Sequence, residues 1–236
     1  MSIRSNFAEN DGLAIHYLDS LDMADPSLTP VLICPGLSET AEEYADLMEE
    51  LLPRRCIALS FRGRGQSDTP QQGYDLEHHV SDIAAVIGEA CVPLIHLFGY
   101  SRGVSYALSY ASQNKQKIAS ILVEDYPPEH RAMTVSWQED YINNYVIPAK
   151  RNIRPAAVRG IQNDSTQQDI FFTFEKPVLV KRGMLSDTLL TDEGIASYRN
   201  MFAAMQLREF LHSGHNIRGT EKQELYLAVQ HFINNI

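Results

Sequence analysis

Long apolar runs are missing from this 236-residue chain. No stretch of about 18 consecutive apolar residues occurs, so no membrane-spanning helix is expected. Cysteine is scarce: Cys34, Cys56 and Cys91 are all there is. An odd count in a chain of this size argues against a disulfide framework, and buried free thiols are expected. No Cys-x-x-Cys pair occurs, and His78 and His79 are adjacent and face different ways on a helix, so no metal is expected. Basic residues are outnumbered, 20 Lys and Arg against 30 Asp and Glu. The resulting net charge of −10 disfavours a nucleic-acid partner. Repeats, low-complexity tracts and long Pro/Gly linkers are absent. The first ten residues carry no apolar signal region, and a cytoplasmic protein is expected.

What is present is enough apolar material, 44%, for one sizeable core. Leu13–Leu18 alternates loosely and reads as an antiparallel edge strand. Val31–Cys34, Arg55–Phe61, Leu94–Phe98, Lys117–Glu124, Pro177–Gly183 and Gln206–Leu211 read as strands, several of them continuously apolar, as when both faces are covered. Helical spacing recurs over 41–52, 76–89, 192–204 and 220–236, the last with Thr220 as N-cap and Leu225, Leu227, Val229, Phe232 and Ile233 on its apolar side. This alternation predicts an α/β fold with a mostly parallel sheet and helices on both faces. Residues 126–176 break the pattern: Pro, Asn, Gln and aromatics dominate, with helical pieces near 136–145 and 155–161.

Chemistry concentrates at 93–110. An apolar strand runs into Gly99-Tyr100-Ser101-Arg102-Gly103, and Val104, Ala107, Leu108 and Ala111 continue at helical spacing. Strand, tight Gly-x-Ser-x-Gly turn and helix are the context of a nucleophile elbow. The two glycines permit close backbone approach. The helix N-terminus favours negative charge developing at Ser101.

On these residues the chain resembles the α/β-hydrolase family. The resemblance implies a core of residues 1–125 and 177–236 and a short cap insertion, 126–176. It implies a serine hydrolase acting on a small carboxylic ester, thioester or lactone, with no cofactor. A lyase or carbon–carbon bond hydrolase on the same scaffold, or a slow-turnover ligand sensor, are the alternatives. A serine hydroxyl needs a base and a group that orients the base, following it as acid, then histidine. His215, in Ser213-Gly214-His215-Asn216, resembles the family's base, with His212, His130 and His231 as weaker candidates. Asp187, in Gly183-Met184-Leu185-Ser186-Asp187, resembles its acid. Asp125 is the rival, at the end of the strand before the insertion, and Asp192 reads as a helix cap. Backbone N–H groups of Leu37 and Arg102 are the expected oxyanion donors, Pro35-Gly36-Leu37 standing where relatives write His-Gly-x. The Arg62-Gly63-Arg64-Gly65-Gln66-Ser67 turn also resembles a hallmark, with Ser60 in place of an upstream Asp, and reads as structural. Gly36, Tyr126 and Trp137 are candidate substrate contacts, although such aromatics equally fit a core. Arg102, with Arg131, Lys150, Arg151, Arg154 and Arg159, raises the possibility of an anionic substrate. The oligomeric state is not readable.

Overall fold

Alternation of apolar side chains above and below short strands organises the molecule. The computed structural model describes residues 3–236. In chain order the elements are β1 (Arg4–Asn10), β2 (Leu13–Asp19), β3 (Val31–Cys34), α1 (Ala45–Glu50), β4 (Cys56–Leu59), α2 (Leu76–Glu89), β5 (Ile95–Tyr100), α3 (Arg102–Gln113), β6 (Ile118–Glu124), β7 (Glu129–His130), α4 (Val135–Tyr141), α5 (Pro155–Asp164), β8 (Gln168–Asp169), β9 (Val178–Gly183), α6 (Asp192–Met201), β10 (Met205–Phe210), α7 (Ile217–Thr220) and α8 (Lys222–Asn234). An eight-stranded sheet runs β1-β2-β4-β3-β5-β6-β9-β10. The β1–β2 and β2–β4 pairs are antiparallel, and every later pair is parallel. In β3, Leu32 and Cys34 point into the core shared with α2, α3 and α6, whereas Val31 and Ile33 point into the core shared with α1 and α8. A fully apolar strand is what two covered faces demand.

Three readings need correction. Leu13–Asp19 is not the edge, because β1 pairs outside it. Only Ala8 and Asn10 of β1 are buried, so its apolar signal is weak. Its cue was Asp11-Gly12, both at positive φ (50° and 82°), which closes a two-residue hairpin. The terminal helix is split: α7 ends at Thr220, and α8 starts after Glu221 without a side-chain cap. Leu227 is 58% exposed, and Tyr226 lies in the core instead. Cys34 and Cys56 are buried, but Cys91 is exposed.

Strand β6 pairs directly with β9, so the chain leaves the sheet after Glu124 and returns at Val178. This excursion holds α4, which widens into a π-helical turn at Ile142–Val146, then α5 and the short β7–β8 pair. Ile142, Val146, Ile153, Val158 and Ile161 pack together with Tyr74. Arg102 fastens the excursion to α3. Its guanidinium donates to Tyr106 Oη (3.0 Å), Arg131 O (3.1 Å), His130 Nε2 (3.1 Å) and Ser165 Oγ (2.6 Å). At 1% exposure this side chain is committed to the protein and is not free for a substrate anion.

The Arg62–Ser67 turn is structural. Arg62 pairs with buried Asp82 at 2.7 Å, and Arg64 donates to Leu37 O, Arg62 O and His79 Nε2. Ser60 accepts the Ala41 N–H at 2.9 Å. From β3 the chain crosses to β4 on one side, and β5 lies on the other. The strand order therefore reverses at β3, and the crevice at its carboxyl end is where such sheets bind ligands.

Candidate active site

Ser101 stands between the last residue of β5 and the first of α3, at φ 51° and ψ −134°. A non-glycine residue held there carries about 1–3 kcal/mol of strain, which the surroundings must outweigh. They do so by close packing. A Cβ on Gly99 would lie 2.8 Å from Val104 Cα, and one on Gly103 would lie 2.3 Å from the carbonyl oxygens of both Cys34 and Pro35. Glycine at 99 and 103 thus lets β5, α3 and the loop after β3 converge on the serine. Gly103→Ala is expected to destabilise the protein by at least about 2 kcal/mol, because backbone rather than a flexible side chain blocks the methyl. An unchanged urea midpoint would contradict this.

The histidine comes from the other end of the chain. After β10, residues 211–216 carry His215 back over the sheet edge. Ser101 Oγ donates to His215 Nε2 at 2.9 Å, and His215 Nδ1 donates to Asp125 Oδ2 at 2.8 Å. The Tyr100 ring stacks on the imidazole, 5.1 Å between centroids, and its hydroxyl donates to His215 O. Burial, with Glu39 and Glu124 nearby, pushes that phenol well above the ordinary range, so it stays a neutral donor.

The carboxylate on the imidazole is Asp125, not Asp187. Asp125 follows β6 directly, at φ 46°, a left-handed conformation that Asp tolerates better than most residues. It is fully buried and accepts N–H groups from Gly183 (3.2 Å) and Leu189 (2.9 Å) and the Thr188 hydroxyl. These donors fix its direction. Asp187 is exposed and packs against the backbone of Gly214, where an added Cβ would lie 1.6 Å from its Oδ1. It borders the same cavity without a hydrogen bond to His215.

That cavity has a volume of about 610 Å³ and reaches Gly36, Leu37, Ser101 and His215, with Tyr141 and Arg151 contributed by the excursion. Arg102 opens α3, so its N–H has no acceptor within the helix. Tyr126 does not reach the cavity: it is 3% exposed in the sheet core, with the Arg131 guanidinium 5.2 Å from its ring centre. Trp137 packs on the excursion's own core and stacks on Tyr141 (5.1 Å). The tyrosine, not the tryptophan, is the lining residue. Sequence reasoning gave no weight to Glu39, Tyr100 or Arg218 and counted Tyr141 only among the insertion's aromatics, yet all four line the cavity. Only Tyr100, beside the elbow serine, carried a positional cue.

A family model described as alpha/beta hydrolase fold matches residues 29–152, more than half of the chain. A Bacillus subtilis protein provisionally named 2-succinyl-6-hydroxy-2,4-cyclohexadiene-1-carboxylate synthase is 25% identical over 126 residues, 52% of this chain and 44% of its own length. The 2-(acetamidomethylene)succinate hydrolase of Mesorhizobium japonicum is 28% identical over 99 residues, 42% of this chain and 36% of its own length. The matches thus span less than half of these curated relatives. The solved structure of an esterase from Exiguobacterium antarcticum superposes with a TM-score of 0.80 at 18% identity, covering 98% of this chain and all of that one. With the elbow, the switch-point crevice and this match in sequence, the chain belongs to the α/β-hydrolase family.

Proposed function

We propose that the protein is a serine hydrolase that cleaves a small carboxylic ester, thioester or lactone, with residues 126–176 serving as a short cap over the site. The observation that carries this reading is the unbroken line of hydrogen bonds from Ser101 Oγ through His215 to Asp125. Ser101 attacks the acyl carbon while His215 Nε2 takes its proton. The backbone N–H groups of Leu37 and Arg102 hold the oxyanion. Collapse transfers the proton from His215 to the leaving alcohol or thiol and leaves an acyl-enzyme. Water, deprotonated by the same nitrogen, then releases the acid. Asp125 stays ionised and fixes the imidazole tautomer. No cofactor is required by this chemistry. An anionic group on the substrate would meet Arg151 at the cavity rather than Arg102.

A second reading, elimination, is favoured by the printed name of the Bacillus relative, a synthase. The same serine and imidazole can relay a proton without a covalent intermediate. An uncharged fluorophosphonate and short-chain p-nitrophenyl esters separate the readings. The hydrolase is expected to turn over the esters and to gain one phosphonyl group on Ser101 by intact mass, an adduct absent from Ser101→Ala. Labelling without turnover would favour the lyase or a ligand sensor. Neither labelling nor turnover would overturn the hydrolase.

A further inference from the structure

One carboxylate ties together the two loops on which this chemistry depends. Glu39 lies three residues beyond Gly36, in the loop that follows β3. Its Oε2 accepts the Gly36 N–H at 3.1 Å and the Tyr44 hydroxyl at 2.6 Å. Its own N–H donates to Gly36 O at 3.2 Å, so the loop closes on itself. Its Oε1 accepts from Arg218 Nη2. Arg218 is three residues past His215, on the short helix α7, and its guanidinium lies 4.2 Å from the centre of the Tyr44 ring. Both side chains are largely withdrawn from water, at 14% and 18% exposure. Arg218 also comes within 4.0 Å of Glu43, whose carboxyl is pushed up to about 7 by burial and by the Glu39 charge.

The geometry points to Glu39 as a positioning residue that sets the oxyanion loop against the histidine loop through Arg218. Gly36 is packed tightly: an added Cβ would lie 3.1 Å from the Tyr100 ring and 3.3 Å from Ser101 Cβ. The peptide that follows it therefore lies beside the nucleophile, and its direction decides where the Leu37 N–H points. Glu39 consumes the Gly36 N–H and leaves the Leu37 N–H for the reacting oxygen. The Arg218 ion pair then holds this loop in register with the segment that carries His215. Interactions made only as the oxyanion forms act on kcat more than on KM. A merely structural ion pair would instead act on the melting temperature or on the fraction of active protein.

This inference rests on the hydrolase reading above, and the test separates the two. Wild type, Glu39→Ala, Glu39→Gln and Arg218→Met are titrated with the fluorophosphonate, and p-nitrophenyl ester kinetics are expressed per labelled site. Glu39→Ala is expected to lose about 10- to 100-fold in kcat, with KM within about threefold, near the loss of one oxyanion donor. Glu39→Gln keeps a carbonyl for Gly36 and Tyr44 but presents its NH2 to Arg218, and is expected to recover only part of the loss. Arg218→Met should lie between them. If Glu39→Ala does not fold, Glu39→Asp, too short to reach both Gly36 and Arg218, takes its place with the same expectation. Wild-type kcat per labelled site in Glu39→Ala would overturn the positioning role and leave the hydrolase standing. A loss confined to the labelled fraction would do the same. A wild-type protein that neither labels nor turns over ester would overturn both.

Discussion

Asp125→Asn is expected to lower kcat by about 10⁴, a loss of the size seen when a triad acid is made neutral and the imidazole tautomer inverts. Two of the donors that hold Asp125, the Gly183 and Leu189 backbone N–H groups, cannot turn away from an asparagine, whereas the Thr188 hydroxyl can rotate and accept. The amide must therefore face one of its own N–H groups either toward them or toward His215. In the second case His215 has to accept at Nδ1, its proton moves to Nε2, and Ser101 loses its base. Asp187→Asn, at an exposed position bonded to no part of the imidazole, is expected to stay within about threefold of wild type. Steady-state kinetics per labelled site compares the pair. Equal losses in both variants, or a larger loss in Asp187→Asn, would remove Asp125 from the proposed mechanism.

Mild acid should destabilise this protein, through buried histidines more than through carboxylates. Three histidines are buried as neutral acceptors for arginine. His79 Nε2 accepts from Arg64, His130 Nε2 from Arg102 and His96 Nε2 from Arg54, while Nδ1 of each is bonded to an oxygen. Burial first, then the neighbouring guanidinium, lowers all three: His130 to about 3, His96 to about 4, and His79 well below the usual value. Below about pH 6.5 the unfolded chain takes up protons at these positions while the folded chain does not, so stability falls as pH falls. At pH 5 His130 and His96 each contribute a loss of about 2 kcal/mol, and His79 acts in the same direction. Glu43 acts in the opposite sense. Its carboxyl is pushed up to about 7, so the folded chain binds its proton first and gains stability on acidification toward the unfolded value. His130, His96 and Glu43 together give a net loss of about 2 kcal/mol between pH 7 and pH 5, and His79 adds to it, against the 5–15 kcal/mol that holds most domains together. Urea unfolding at the two pH values reads it directly. His130→Gln, whose carbonyl can still accept from Arg102, should remove the His130 share of the slope, about 2 kcal/mol by pH 5. A midpoint that does not move from pH 7 to pH 5 would contradict the assignment of these rings as neutral.

The same arginine–histidine pairs decide, for Arg102, between a ligand for a substrate anion and an internal contact. Arg102 beside the serine looked like a ligand for a substrate anion, because sequence adjacency says nothing about side-chain direction. At the first turn of α3 its backbone borders the site and its side chain runs the other way, into the contact that fastens the excursion. Tyr126 and Trp137 were misplaced for a related reason. Their aromatic rings suit either a wall or a core, and only packing separates the two.

What the amino-acid order determines unaided here is local. Continuous apolar runs and 3.6-residue spacing specify the parallel strands and most helices, because each element's burial is set by its own period. The glycines at 99 and 103 mark the elbow, because no side chain fits where three backbones converge. His215 was singled out only through the resemblance of its glycine-bearing loop to the family's base loop. Asp125 and Asp187 were not separable in this way: each follows a strand, and β6 and β9 are neighbours in the sheet, so both fall within reach of one histidine loop. Only the folded chain chooses between them, through the left-handed turn at Asp125 and the three donors that aim its carboxylate. The Glu39–Arg218 link across 179 residues likewise exists only in three dimensions, since no spacing along the chain encodes which two loops close over one sheet edge.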